Sequence, residues 1–231
     1  LVVSALSVAP VAGNNTVPVA TPGANGTAIR RALQSAEEHG EVFTFGAGGR
    51  GQLGLGSTAD QLSPVEVAAL GSDNALVAAG YFHSMVLKTS GTVFTFGNGG
   101  NGRLGLGSTA DQLSPAEVVG LGSDNALVAA GDAHSMVLKT SGTVFTFGNG
   151  GHGRLGLGST ADQLSPVEVV ALGSDNALVA AGTYHSMVLK TSGTVFTFGY
   201  GDYGQLGLGS TLGQLSPVEV VALGSDNALV A

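Results

Sequence analysis

The sequence contains neither cysteine nor tryptophan, and only 10% of its 231 residues are charged. The first absence excludes a disulfide framework and any thiolate-held metal, without fixing the compartment. Eight basic residues stand against sixteen acidic ones, a net charge of −8. The positive charges are scattered, whereas a nucleic-acid face needs a basic patch that displaces counterions from phosphate. Direct DNA or RNA binding is therefore disfavoured. No apolar run approaches the roughly 18 residues of a membrane-spanning helix. Disorder is disfavoured too, because 43% of the chain is apolar, enough for a sizeable core. Glycine is the one excess, at 39 residues, against a usual share of about 7%. Collagen's every-third-residue period is missing, so the glycines read as turns, bulges and close backbone approaches.

The chain does not begin with methionine and reads as a piece of a longer product. Residues 1–12 read as an ordinary apolar strand, the alternative being the tail of a signal peptide whose basic leading region is missing. Two glycosylation sequons, at Asn14 and Asn25, matter only if the chain is secreted. The compartment stays open, with a cytoplasmic or nuclear setting ranked first.

Internal periodicity decides the fold class. Gly46, Gly97, Gly148 and Gly199 are spaced by 51 residues, as are His83, His134 and His185, and residues 92–142 differ from residues 143–193 at only five positions. Residues 41–231 hold about three and three-quarter copies. In one copy, Ser84–Thr89 and Thr92–Gly97 are two β-prone runs around Ser90-Gly91, a hairpin with a two-residue link. That link sets Leu87 opposite Phe94 and Met85 opposite Phe96. Residues 102–108 are too glycine-rich for a helix and read as a compact turn. Two further short runs follow, at residues 115–121 and 126–130, separated by the turn residues Ser123-Asp124-Asn125.

Four short strands per 51 residues match the arithmetic of a propeller blade. The expectation is an all-β fold of β-propeller blades, each of four antiparallel strands, with the propeller incomplete and open blade edges available for self-association. Residues 1–40 read as an irregular N-terminal segment, holding either a degenerate blade strand or a short helix over 28–39 that starts after Thr27 and stops at Gly40.

The unit Tyr81-Phe82-His83-Ser84-Met85-Val86-Leu87, then Gly91 to Gly97, then Gly102-Arg103-Leu104-Gly105-Leu106-Gly107, resembles the regulator of chromosome condensation repeat, with Pro115 and Val118 at that repeat's proline and valine. Kelch repeats have a similar period but look for a tryptophan. The resemblance implies a propeller usually closed by about seven blades. It also implies relatives among exchange factors for a small nuclear GTPase, ubiquitin ligases and a plant ultraviolet-B receptor. The receptor's light absorption rests on tryptophans, which excludes that role for this stretch. The exchange factors carry irregular insertions between strands, and these regular copies show none.

No catalytic constellation emerges. Gly97-Asn98-Gly99-Gly100-Asn101-Gly102 satisfies GxGxxG, but no helix follows it, so it reads as a turn and no cofactor is expected. His83, His134 and His185 are equivalent in successive blades. They are read as structural residues, each bonded to backbone within its own blade, rather than as a metal site on the propeller axis. Adjacent Ser84 and His83 point to opposite faces of a strand and cannot form a nucleophile–base pair.

What the scaffold leaves free shows where near-identical copies differ. One variable cluster precedes the histidine: Tyr81-Phe82, Asp132-Ala133, Thr183-Tyr184. The other follows the hairpin and includes Arg50, Asn98, Asn101, Asn149, His152, Tyr200, Asp202 and Tyr203. Both lie at the hairpin's open end, and loops on a rigid scaffold are where binding residues concentrate. The function expected is a non-catalytic protein–protein interaction scaffold. A guanine-nucleotide exchange factor or regulator for a small GTPase is the first alternative, and a glycan-binding propeller the second.

Overall fold

The computed structural model describes residues 5–10 and 40–228, and the side chains of residues 40–228. The helix expected over 28–39 and both sequons fall outside the described residues.

Three complete four-stranded antiparallel blades follow one another. The first runs β4 (Asn74–Ala79), β5 (His83–Lys88), β6 (Val93–Gly97) and β7 (Gln112–Glu117). The second has β8 (Asn125–Ala130), β9 (His134–Lys139), β10 (Val144–Gly148) and β11 (Gln163–Glu168). The third has β12 (Asn176–Ala181), β13 (His185–Lys190), β14 (Val195–Gly199) and β15 (Gln214–Glu219). Ahead of them stand β2 (Gly40–Gly46) and β3 (Gln61–Glu66), with β1 (Ala5–Pro10) antiparallel along β2. β1 takes the position on β2 that β5 takes on β6. The only helical turns among the described residues are three-residue 3-10 turns, and Val119–Leu121 is one of them, so the strand expected over 115–121 starts earlier, at Gln112, and stops at Glu117.

The blades taper toward an axis. β4, β8 and β12 contact one another from blade to blade, and they are built from Asn-Ala-Leu-Val-Ala-Ala. Small side chains let strands converge where the wedge is narrowest.

The hairpin register corrects the expected one. Val86 faces Phe94 and Ser84 faces Phe96, while Leu87 faces Val93 and Met85 faces Thr95. Lys88 N–H donates to Thr92 O, Gly91 N–H donates to Lys88 O, and Gly91 has φ +83°. The link is thus the three residues Thr89-Ser90-Gly91, a turn closed by a glycine bulge, rather than Ser90-Gly91 alone. A one-residue slip reverses the faces. Phe96 and Val86 pack back on Val42 and Leu70 of the preceding blade, whereas Met85, Leu87 and Val93 pack forward on Val128, Val137 and Phe147. Every blade is therefore apolar on both faces, and the core is the series of seams between blades.

Polar staples recur at each seam. At the Ser-Gly end, Asn125 Nδ2 donates to Gly91 O of the preceding blade at 2.7 Å and to Gly122 O at 3.0 Å. Lys139 Nζ sits 2.5 Å from Asp124 Oδ1 and also donates to Leu121 O. At the opposite end, Thr95 Oγ1 donates to Leu104 O at 2.8 Å, which pins the glycine-rich loop under its own hairpin.

That loop explains the Leu-Gly-Leu-Gly string. Gly105 has φ +71°, and a Cβ there would lie 2.8 Å from Phe147 Cε2 in the next blade; Gly54 meets Phe96 and Gly156 meets Phe198 in the same way. Gly105→Ala combines a left-handed backbone penalty with overpacking at a seam. It should lower stability by about 2–4 kcal/mol. Urea unfolding of the variant against wild type measures this, and a loss below about 0.5 kcal/mol would show that the ring yields freely.

Candidate functional site

The two variable clusters meet at one end of each blade. Asn98 N–H donates to Phe82 O at 2.9 Å, Asn149 N–H to Ala133 O at 2.8 Å and Tyr200 N–H to Tyr184 O at 2.9 Å. The Ser-Gly turns lie at the far end of the hairpins.

Within this surface the side chains divide into two kinds. Some are tied into the loops. Asn98 Nδ2 donates to Asp111 Oδ1 at 2.8 Å, and its Oδ1 accepts from Gly100 N–H at 3.2 Å. Asn149 Oδ1 accepts from Gly151 N–H at 3.0 Å. Asn101, at φ 60°, donates to Asp162 Oδ2 of the next blade at 2.7 Å. Asp132 and Thr183 contribute their carbonyls, which accept from Arg103 Nη1 at 2.9 Å and Arg154 Nη1 at 3.1 Å.

The others project. Arg50 is exposed. Tyr81 is half-exposed and packs edge-to-face on Phe82 at 4.4 Å between ring centroids. The largest group gathers four rings from two adjacent blades. His152, also left-handed at φ 61°, lies 4.7 Å from Tyr200 and 6.0 Å from Tyr184. Tyr184 and Tyr200 are 5.9 Å apart, and Tyr200 and Tyr203 5.8 Å. Such T-shaped pairs align ring edges with ring faces, the favourable quadrupole arrangement. Tyr203 remains 86% exposed. The Tyr200 hydroxyl bonds to the Asp202 carboxylate, which holds its pKa above the ordinary phenol value.

The sequence reading missed Arg103 and Arg154, which lie beneath these rings. Each is buried, with its guanidinium donating to backbone carbonyls and stacked on a ring: Arg103 over Phe82 of its own blade, 5.8 Å away, and Arg154 over Tyr184 of the following blade, 4.9 Å away. Burial lowers the pKa of both. A signal existed, because the same position reads Gln52, Arg103, Arg154 and Gln205 along the chain. Where it is glutamine, the side chain folds back on its own loop: Gln52 Oε1 accepts from Arg50 N–H, and Gln205 Oε1 from Tyr203 N–H.

The histidines require a correction. They do not bond to backbone within their own blades. His83 Nε2 lies 2.8 Å from Ser135 Oγ of the next blade, and His134 Nε2 lies 2.9 Å from Ser186 Oγ. Ser135 donates its own proton to Arg103 O, and Ser186 donates to Arg154 O, both at 2.8 Å. The histidine must then be the donor through Nε2–H, which leaves a neutral ring with an unprotonated Nδ1. That Nδ1 is buried and accepts no hydrogen bond in either residue. Burial drives both rings down to a pKa of about 3, with Arg103 and Arg154 adding repulsion. A serine–histidine contact thus exists across the seam, but the serine proton points at a carbonyl and both groups are sealed from solvent, which is not a nucleophile's arrangement. Among the described residues no group of three or more His, Asp or Glu side chains is placed to hold a metal ion.

The family's sequence pattern settles what these blades are. The Regulator of chromosome condensation (RCC1) repeat matches residues 39–87, 90–138, 141–189 and 192–230. The chain belongs to the RCC1 repeat family. Among RCC1-repeat relatives, the chain is 36% identical over 184 residues to the ultraviolet-B receptor UVR8 of Arabidopsis thaliana, covering 78% of this chain and 42% of that protein. It is 41% identical over 186 residues to the probable E3 ubiquitin-protein ligase HERC3 of Homo sapiens, covering 78% of this chain and 18% of that one. The crystal structure of Prp20p from Saccharomyces cerevisiae, studied for its binding to Gsp1p and histones, superposes with a TM-score of 0.69 at 22% identity, over 78% of this chain and 46% of Prp20p. The chain spans less than half the length of each, and the last likeness is one of fold.

Proposed function

We propose that this RCC1-repeat array is a non-catalytic protein-interaction scaffold whose contact surface is the variable-loop end. One observation carries the reading: the four-ring cluster of His152, Tyr184, Tyr200 and Tyr203 is built almost wholly from positions that change between otherwise near-identical blades. Exposed tyrosines on a rigid frame are the usual anchors of protein interfaces. The reported binding of Prp20p to Gsp1p and histones favours protein partners. It also favours a second reading, regulation of or nucleotide exchange on a small GTPase.

Replacing Tyr81, Tyr184, Tyr200 and Tyr203 with alanine should weaken partner binding at least 30-fold, since one anchor carries about 2 kcal/mol or more. Phe82 is tested separately, because it lies half-buried under Arg103. The control places asparagine at Ser90, Ser141 and Ser192, which are exposed turn residues. Partners recovered by affinity capture are titrated against both variant sets at matched thermal stability. Equal binding by both sets, or loss only at the Ser-Gly end, would reject this surface. Nucleotide release from a captured GTPase supports the second reading, and tyrosine-dependent binding on a glycan array would replace protein partners with a sugar.

A further inference from the structure

The exposed charge at the variable end is mostly negative. Its loops carry Asp60, Asp111, Asp132, Asp162 and Asp202. Asp60, Asp111 and Asp162 are fixed there because each accepts the N–H of a loop glycine, Gly48, Gly99 or Gly150, at 2.8–2.9 Å. Asp132 and Asp162 both act electrostatically on Arg154, and Asp202 holds the Tyr200 hydroxyl. The cations of this end are Arg50, which is exposed, and Arg103 and Arg154, which are buried with their donors directed at carbonyls. Around the four-ring cluster, the carboxylates of Asp132, Asp162 and Asp202 outnumber the one buried guanidinium of Arg154.

The cluster also displays how it accommodates a cation. Arg154 already stacks its guanidinium 4.9 Å from the centre of the Tyr184 ring, using the ring's negative face. Tyr203, the most exposed ring, has no such cation within the chain among the described residues. Its neighbour Asp202 has a second carboxylate oxygen available after accepting from Tyr200, because an ionised carboxylate offers about four lone-pair sites.

We infer that the four-ring cluster is a docking point for a protein segment that presents an arginine or lysine, with the cation over Tyr203 and paired with Asp202. The inference rests on the variable end being a contact surface and names the chemistry of what it contacts. Rings supply desolvated area and a quadrupole, while the surrounding carboxylates steer a positive segment and repel an acidic one.

The test uses four labelled nonapeptides of equal length in fluorescence anisotropy against the whole chain. One alternates arginine with glycine, one alternates lysine with glycine, one replaces the basic residues with glutamate, and one replaces them with leucine. The two basic peptides should bind and the glutamate peptide should not. Tyr203→Ala, which leaves the charge unchanged, should weaken the basic peptides about 10-fold. Asp202→Asn should weaken them about 5-fold and flatten their salt dependence. Basic-peptide binding left unchanged by both variants would mean that it responds only to overall negative charge, which overturns the inference. Binding of the leucine peptide alone, lost in Tyr203→Ala, would overturn the cationic partner and keep the contact surface. The contact surface itself falls only if captured partners bind the tyrosine-to-alanine set as tightly as wild type.

Discussion

Acidification from pH 7.5 to pH 5 should strip about 4 kcal/mol from the stability of this protein, well before its carboxylates are substantially protonated. The cause is the pair of seam histidines. His83 and His134 have pKa values lowered from 6.5 to about 3. Between those values the unfolded chain binds protons that the folded chain refuses, so stability rises with pH through this window. It is complete above about 6.5 and is lost progressively below it. At pH 5 each histidine lies about 1.5 units below its unfolded pKa, and each unit is worth about 1.4 kcal/mol. His185, partly exposed on the third blade, is shifted the same way by burial. Asp124 and Asp175 are held below 3.8 chiefly by hydrogen bonds from Lys139 and Lys190, so their contribution is lost only at lower pH.

Urea unfolding at several pH values measures the loss, and variants assign it. Glutamine keeps an N–H donor for the serine but does not titrate. His83→Gln combined with His134→Gln should be less stable at pH 7.5 yet nearly flat down to pH 5. His134→Ala, which removes the seam contact altogether, should cost about 1–3 kcal/mol at pH 7.5. A wild-type midpoint that does not move between pH 7.5 and 5, or a glutamine double variant that falls as steeply, would remove the histidines from the explanation.

The repeat and its four strands were legible because a 51-residue self-similarity forces equivalent positions into equivalent structure, and the β-prone runs were bounded by glycine, proline and aspartate. The hairpin register was not. Ser90-Gly91 fits a two-residue turn by composition, yet a glycine in the third place of Thr89-Ser90-Gly91 fits the bulged turn equally, and only the Lys88–Thr92 bond decides between them. The histidine's partner was hidden for a different reason. Ser135 is 52 residues from His83, one repeat plus one residue, so the contact appears only when two blades are laid face to face. The convergence of the two variable clusters was readable from hairpin connectivity. The buried arginines beneath them were not, because charge in a variable loop ordinarily signals exposure, and here the guanidinium is consumed by backbone carbonyls.

The 231-residue polypeptide should self-associate, and the contact should run through blade faces rather than strand edges. β1 lies along β2, so that edge is paired. The faces at the two ends of the array are a different matter. At each internal seam a leucine of the following blade presses on a glycine of the preceding one: a Cβ at Gly51, Gly102 or Gly153 would lie 2.6–2.7 Å from Cδ2 of Leu113, Leu164 or Leu215. Next to it, Gly56, Gly107 and Gly158 donate to the carbonyls of those leucines at 2.8–2.9 Å. On the last blade the equivalent glycines meet little. Cβ atoms at Gly204 and Gly209 would touch nothing within 4 Å, and one at Gly207 meets Val220 instead of a phenylalanine ring. Leu223 is 48% exposed, against 1–2% for its counterparts Leu70, Leu121 and Leu172. At the front of the array, Leu62 occupies the leucine position and is 99% exposed, against 37–43% for its three counterparts. The last blade thus offers the sockets, and β3 at the front of the array offers the knob. A further repeat in cis and a second copy in trans would satisfy them with the same contacts. In isolation only the second is available, and it makes a head-to-tail interface, which closes or propagates according to its rotation. Burying Leu62 is worth about 2 kcal/mol, so Leu62→Asp should raise the dissociation constant about 30-fold or more. Sedimentation velocity across a concentration series, on wild type, Leu62→Asp and Leu223→Asp, gives the answer. A wild-type chain that stays monodisperse and monomeric at every concentration, and remains so after deletion of residues 1–40, would show that these two faces do not recognise each other.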